Sequence, residues 1–480
     1  MKLFRFLLLA TSIPVMCLIT VAVQGEVIFT NLVSFTGPGG ACPGASPYAG
    51  LVLGADGNFY GTTTAGGAKN LGTVFQLTPG GVFTSLVSFN GTNGATPYAA
   101  LTPGNRGFLY GTTWAGGASN WGTIFLITTN GAFTNLFSFT GTNNPWQGSS
   151  PAAALVADGA GNFYGTADFG GTTNASYGGR GYGTVFELAA DGAVTAPFLF
   201  SNTNGAYSSG GLVLGKDGSF YGTTRWGGRG IAGSVPGYGT IFAMSPEGTF
   251  TNLYRFTGGD DGGFIYAGLA QGRDGYLYGA AFNGGSQGFG TLFRISTNGT
   301  SLPSLPPLYT FTAWDGGWPY AGLVEGSDGN FYGTTLGSYS AFAGYYGTVF
   351  QVTPGGIFTN LFFFNNADGS YPAGVLVQGP DNNFYGTTST GGANGLGTIF
   401  RLSVPMPAAF KAVAITNGAV TLTWSAVAGQ TYQLQYSTDL TQSNWTDLGK
   451  LIFPTNGVVT TTDSNAAAFP QLFYRVVLFP

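Results

Sequence analysis

The 480-residue sequence contains no histidine at all. That excludes a Ser-His-Asp triad, a Cys-His pair, a histidine general base and any histidine-ligated zinc or iron. Charge is almost as scarce: 15 basic and 19 acidic residues make up 7% of the chain and leave a net charge of −4. Ordinary globular domains carry about a quarter charged residues. The balance gives no electrostatic footprint for nucleic acid or an anionic membrane. Two cysteines, Cys17 and Cys42, leave little scope for a disulfide framework. What fills the chain instead is 84 glycines, 24 prolines, 15% aromatics and 44% hydrophobic residues. Glycine disfavours helices, whereas Val, Thr, Tyr and Phe favour strands, and disorder requires few aromatics and a high net charge. The expectation is an all-β protein.

At the N-terminus, Lys2 and Arg5 precede an apolar run from Phe6 to about Val23, and Val23 and Gly25 occupy the two key positions of a cleavage site. This predicts a secretory signal peptide over residues 1–25. An uncleaved anchor is the rival reading, opposed by Pro14 in mid-run. Lipidation of Cys17 is opposed by the bulky Val15 and Met16. Cleavage leaves Cys42 alone, as a small buried or half-buried residue, and predicts a mature protein outside the cytoplasm with no membrane insertion: secreted, at the cell surface, or in the periplasm.

The tripeptide Phe59-Tyr60-Gly61 recurs as Tyr110-Gly111, Tyr164-Gly165, Tyr221-Gly222, Tyr278-Gly279, Tyr332-Gly333 and Tyr385-Gly386. A second anchor, Gly-Thr-aliphatic-Phe, follows each copy, ending at Phe75, Phe125, Phe186, Phe242, Phe293, Phe350 and Phe400. In the first copy, strands are expected over Tyr48 to Leu53, Phe59 to Thr63, Thr73 to Thr78 and Val82 to Phe89, with turns at Ala55-Asp56-Gly57-Asn58 and Pro79-Gly80-Gly81. Four antiparallel strands per unit of about fifty residues, seven times over, predict a seven-bladed β-propeller across residues 26–402. The first strand of each unit carries small residues, as in Ala49-Gly50, Ala99-Ala100, Ala152-Ala153, Gly210-Gly211, Ala267-Gly268, Ala321-Gly322 and Ala373-Gly374. Strands converging on one axis have room for little else. A fourth-strand pattern appears at 27–35, before the first complete unit, and is missing after the seventh. The N-terminal strand is therefore expected to complete the last sheet and close the ring.

The elements Asp-Gly-Asn-Phe-Tyr-Gly-Thr-Thr, Gly-Thr-Val-Phe, Leu-Thr-Pro-Gly-Gly and Phe-Thr-Asn-Leu resemble the Gloeo/Verruco tandem repeat of large bacterial secreted proteins over about 27–402. The resemblance implies an exported, multi-repeat surface or extracellular protein and brings no catalytic residues. Gly104-Asn105-Arg106 departs from the Asp-Gly turn in the second unit, and Val194 to Phe200 loses the Phe-Thr-Asn start.

After a linker at 403–408, residues 409–480 show a different alternation at Val420 to Trp424, Tyr432 to Tyr436 and Phe473 to Val477. This resembles a small fibronectin type III-like β-sandwich, with Trp424 as the core tryptophan and Tyr474 on a late strand. It reads as a spacer or docking module.

Strand order places the first-to-second and third-to-fourth hairpins at one end of the unit. Asp56, Asp217, Asp274, Asp328 and Asp381 recur there as turn-capping residues. The opposite end, formed by second-to-third loops and the connections between units, is longer and irregular, as binding surfaces tend to be. It carries Trp114, Trp121, Trp146, Trp226, Trp314 and Trp318, with Tyr182, Tyr339, Tyr345 and Tyr346. Such aromatics, beside uncharged amides and hydroxyls, suit the faces and hydroxyl groups of sugars, or else seal the gaps between sheets. The same end holds Asp168, Asp260, Asp261, Asp315 and Asp368. Asp260 or Asp261 with Asp315 is the one carboxylate pair to nominate for glycoside hydrolysis, the plain alternative being turn-forming acids; calcium binding by these loops is also open. Gly228 to Gly233 matches a dinucleotide fingerprint, but no helix follows, so it is a loop. The overall expectation is a monomeric, non-catalytic interaction module without a cofactor, with an extracellular glycan or surface protein as partner. A polysaccharide hydrolase or lyase and a purely structural surface protein are the alternatives.

Overall fold

The structure is a computed structural model that describes residues 15–21, 26–141, 148–171, 180–228, 237–299, 305–337, 346–405, 410–439 and 444–479. No α-helix occurs among the described residues, so none there is long and apolar enough to cross a membrane. The chain divides into two compact units, one of residues 31–377 and 385–400, the other of residues 1–30, 378–384 and 401–480.

The repeats form a propeller-like series of antiparallel sheets. Among the described residues there are seven such sheets, one per copy, with strands in sequence order across the sheet in six of them. The first copy is built from Val52–Leu53, Phe59–Thr63, Thr73–Leu77 and Phe83–Ser88. The seventh places Ile28–Ser34 beside Thr398–Ser403, followed by Phe384–Thr388 and Val377–Gln378. The strand from before the first copy thus completes the last sheet, as its sequence predicts.

The two sequence anchors have one physical cause. Gly61 lies opposite Phe75 in the ladder, and a Cβ on Gly61 would fall 2.4 Å from Phe75 Cζ and 2.8 Å from Leu51 Cδ2. The glycine is the space in which the phenylalanine ring lies, so neither is useful without the other. The pairing repeats at Gly111 with Phe125, Gly222 with Phe242 and Gly333 with Phe350. Gly72, at φ +101, is required for a second reason: a Cβ there would meet the carbonyl oxygen of Thr63 at 2.3 Å. Phe75 in turn stacks on Phe83 at 5.3 Å and meets Phe35 edge-on at 5.5 Å, within a buried cluster that also takes in Leu51, Phe59, Tyr385 and Ile399. Tyr385 belongs to the seventh copy and Phe59 to the first, so this cluster packs those two copies together.

Backbone hydrogen bonds also link the copies. The residue two before each innermost segment is left-handed in every copy: Ser46, Thr96, Ser150, Tyr207, Phe264, Trp318 and Tyr371 have φ between 52° and 57°. Each donates its backbone N–H to a loop carbonyl of the preceding copy, from Thr96 to Leu71, Ser150 to Trp121, Tyr207 to Tyr182, Phe264 to Tyr238, Trp318 to Phe289, Tyr371 to Tyr346, and finally Ser46 to Leu396. The last bond joins the first copy to the seventh. Left-handed non-glycine residues cost of order 1 kcal/mol each; here the turn is held by the inter-copy bond and re-aims the chain toward the axis.

The expected first strand shrinks from Tyr48–Leu53 to Val52–Leu53. The reason is close approach: a Cβ on Gly50 would meet Val375 O at 2.3 Å, and one on Gly268 would meet Gly210 O at 2.3 Å. Backbone packs on backbone there, so the small pairs lie beyond the ladder and bond sideways, as when Thr62 Oγ1 donates to Ala99 O and Thr387 Oγ1 to Ala49 O.

At the hairpin end, Asp56 accepts from the Asn58 backbone N–H at 3.1 Å and from the Tyr60 hydroxyl at 2.7 Å. Asp217 with Tyr221, Asp274 with Tyr278 and Asp328 with Tyr332 repeat the arrangement. The acids cap turns and tie each turn to a core tyrosine. Burial favours the neutral Asp56, but the bonds from Tyr60 and Asn58 outweigh it and hold the carboxyl below its usual range.

In the second unit, a sheet of Phe410–Thr416, Ala419–Ser425 and Val458–Asp463 and a sheet containing Thr431–Ser437, Thr446–Asp447 and Gln471–Phe479 share one core. Trp424, Tyr432, Leu434 and Tyr474 are buried in it, and the Tyr474 hydroxyl donates to Asp463 at 2.8 Å. Val15–Val21 runs parallel to Gln471–Phe479 as an added edge strand. The rest of 1–25 lies outside the described residues, as do 406–408 of the expected linker.

Candidate functional site

Where the innermost segments of the seven copies meet there is a cavity of about 540 Å³. Its wall is the set of small residues the repeats supply, including Ala49-Gly50, Ala99-Ala100, Ala267-Gly268 and Ala321-Gly322. In two copies the register differs by one from the sequence expectation, with Ala153-Ala154 and Gly374-Val375 in the equivalent places. Small residues leave the axial space open; the chemistry comes from two rings of positions at its edge.

The first ring is the residue just before each small pair: Tyr48, Tyr98, Ala152, Ser209, Tyr266, Tyr320 and Ala373. The second is the residue just after each Tyr-Gly-Thr-Thr strand: Thr64, Trp114, Asp168, Arg225, Phe282, Leu336 and Ser389. From this second ring Trp114, Asp168 and Arg225, contributed by three consecutive copies, line the cavity. The first ring has Ala152 and Ser209 in place of tyrosine in the copies that bear Asp168 and Arg225. The bulk withdrawn from one ring makes room for the charged groups of the other.

Aromatic groups flank this polar sector. On one side Tyr48 meets Tyr98 at 5.5 Å and Tyr98 meets Trp114 at 6.3 Å, both edge-on. On the other, Tyr266 stacks on Tyr320 at 4.8 Å. Between them the Ser209 hydroxyl donates to Asp168 Oδ1 at 2.9 Å. Asp168 is half-buried in the cavity wall. Burial therefore pushes its carboxyl above the usual range, over the opposing pull of Arg225, Ser209 and Trp114. The Tyr320 hydroxyl is pushed up to about 12, chiefly by burial. The Arg225 guanidinium lies 5.1 Å over the Tyr266 ring and 5.6 Å over the Tyr207 ring. It is not in ion-pair contact with Asp168.

The other site residues nominated from sequence lie elsewhere. Trp121 packs against the cluster of Ile124, Phe139 and Phe186, and Trp226 meets Phe264 at 4.6 Å. Trp318 lies against Phe289 at 5.9 Å, and Trp314 is 63% exposed. Trp146, Tyr339, Tyr345 and residues 229–233 lie outside the described residues. The Asp261 side chain is buried and accepts from the Tyr254 hydroxyl at 2.7 Å and the Thr257 backbone N–H at 2.9 Å. Asp315 accepts from the Thr312 backbone N–H at 2.8 Å and from the Tyr309 hydroxyl. Both carboxylates hold turns together, and neither Asp261, Asp315 nor the exposed Asp260 lines the axial cavity. Among the described residues, no three acidic or sulfur-bearing side chains converge as a metal-binding group. Sequence reasoning missed Arg225 and set Asp168 among the loop acids. The signal that would have found both is the comparison of one position across the seven copies, where a charged residue stands out against Thr, Phe, Leu and Ser.

The profile of the Gloeobacter/Verrucomicrobia repeat matches residues 18–177 and 229–444. The chain belongs to this repeat family. Comparison with curated proteins gives no match. Among solved structures, this family member is similar to a 6-phosphogluconolactonase-type protein of Bacteroides uniformis ATCC 8492, at 14% identity and a TM-score of 0.46 over 86% of this chain and 99% of that one. A counterpart from Bacteroides fragilis NCTC 9343 gives 14%, 0.45, 86% and 98%. The periplasmic gluconolactonase PpgL of Pseudomonas aeruginosa gives 13%, 0.43, 66% and 84%. At such identities the activities stay with those proteins.

Proposed function

We propose that this repeat-family member is an exported, seven-bladed β-propeller that binds carbohydrate in its axial cavity, without catalysis, and that residues 409–480 form a fibronectin type III-like spacer. The observation that carries the reading is the composition of the cavity edge. Four tyrosines and a tryptophan offer flat apolar faces, while Asp168, Ser209 and Arg225 offer orienting hydrogen bonds. That is the combination sugar recognition requires. Among the described residues that line the cavity, Asp168 is the one carboxylate, which supports binding over a two-carboxylate glycosidase mechanism. One observation favours the alternative of a hydrolase or lyase: burial pushes the Asp168 carboxyl upward, the direction in which a general acid is tuned.

Tryptophan fluorescence of the purified protein, titrated with a panel of oligosaccharides while reducing-end release is followed in the same wells, tests both. Binding without release that is lost in Trp114→Ala supports the proposal. Release abolished by Asp168→Asn supports the enzyme, and silence in both channels overturns the carbohydrate reading.

A further inference from the structure

Resting on the carbohydrate reading, we propose that the sugar bound in the axial cavity is acidic, with the carboxylate of a uronic-acid residue seated on Arg225. Among the described residues, Arg225 is the one basic side chain that lines the cavity. Two aromatic rings, Tyr266 and Tyr207, fix the plane of its guanidinium by cation–π contact. No side-chain hydrogen bond from the guanidinium reaches any described residue, and its Nε is buried without a partner. Asp168, the obvious counter-charge, is engaged by Ser209 and stands outside ion-pair distance. An arginine oriented by stacking, with no guanidinium donor given to a described residue, is a cation suited to an anion.

The planar fork of two parallel N–H donors fits a carboxylate in a bidentate pair, which a lysine in the same place would not provide. The remainder of the ligand is then set by position. Ala152 and Ser209, where other copies carry tyrosine, leave the sector beside Arg225 open for the ring that bears the carboxylate. Asp168 lies across the same sector, oriented by the Ser209 hydroxyl, to meet the hydroxyl groups of that ring. The Tyr48, Tyr98 and Trp114 cluster lies on the far side to take the apolar face of a neighbouring sugar.

The test is isothermal titration of the full protein at pH 7 with trigalacturonic acid, its methyl ester and the neutral trimer of galactose. The expected result is saturable binding of the acid, at least tenfold weaker binding of the ester and neutral trimer, and weakening of the acid with added salt. Arg225→Gln and Arg225→Lys should each bring the acid down to the level of the ester, with melting temperatures recorded to show that the variants are folded. The comparison of acid with ester needs no variant, so a misfolded Arg225→Gln leaves the test intact. Equal binding of acid, ester and neutral trimer would overturn the inference while leaving carbohydrate binding standing. Binding of a sulfated galactose trimer but not of the uronate would overturn the carboxylate assignment. Absence of binding by every sugar would overturn the inference and the proposed function together.

Discussion

Replacing Gly61 by alanine isolates the contact that makes this repeat a repeat. The new methyl would lie 2.4 Å from Phe75 Cζ, 2.8 Å from Leu51 Cδ2 and 3.0 Å from Phe75 Cε1. Ordinary carbon–carbon contact needs about 3.5–4 Å, so the ring must withdraw by about 1 Å. It has nowhere free to go, because Phe75 is fully buried between Phe83 and Phe35. Overpacking of this kind costs about 1–3 kcal/mol. Gly61 has an ordinary negative-φ backbone, so alanine also removes unfolded-state freedom and returns about 0.4–1 kcal/mol. The expected net loss is about 1–2 kcal/mol. Equilibrium denaturation in urea, read by fluorescence, measures it. Phe75→Leu alone should also destabilise, but the double variant should lose less than the two single losses combined, since leucine vacates the space the methyl takes. A neutral or stabilising Gly61→Ala, or singles that add within about 0.5 kcal/mol, would refute the Gly–Phe explanation of the two anchors.

Three further outcomes are expected. Because burial raises the Asp168 carboxyl, the folded chain keeps a proton that the unfolded chain loses near pH 4; stability therefore declines with rising pH across that window, by at most about 1.4 kcal/mol per pH unit, and the loss persists above it. Asp168→Asn should accordingly melt higher than the native protein at pH 7 and at the same temperature below about pH 4, and a pH-independent gap would contradict the assignment. Asp261→Ala, which strands the Tyr254 hydroxyl and the Thr257 N–H in a buried turn, should cost roughly 2–4 kcal/mol in denaturation yet leave sugar titrations of the folded protein unchanged. In five copies a pair of buried threonine hydroxyls joins the second and third strands at 2.8–2.9 Å, as Thr63 and Thr73 do, whereas Ala167 leaves Thr184 Oγ1 without a partner. Ala167→Thr should raise stability by about 0.5–1.5 kcal/mol, and a lower melting temperature would show that the third copy cannot take the group.

The scaffold was legible in the sequence because its requirements are local and repeated. Gly61 and Phe75 recur together since each is a steric condition on the other, and Asp56 recurs since it caps a turn and anchors Tyr60. The irregularity of one end was legible for the same reason, as departure from uniformity. Which irregular residues reach the axis was not. Trp121 and Trp318 look like candidates by composition, yet Trp121 packs on the buried Ile124, Phe139 and Phe186 and Trp318 meets the half-buried Phe289 and Phe282. Asp261 and Asp315 precede glycines in loops, but a tyrosine hydroxyl several residues earlier claims each carboxylate, and that pairing depends on how the chain folds back. Asp168 and Arg225 become neighbours only through the juxtaposition of consecutive copies, a closeness that 56 intervening positions conceal.

The ring of positions that follows each Tyr-Gly-Thr-Thr strand carries seven different occupants on seven closely similar supports. The repeated backbone makes those places equivalent supports, while their contents differ from copy to copy. Transplanting Trp, Asp and Arg to 282, 336 and 389, together with the matching small residues of the inner ring, would turn the polar sector about the axis rather than abolish it. A series of repeats built in this way separates the requirements of the fold from those of specificity: the shared positions hold the support, and the seven variable positions are free to differ.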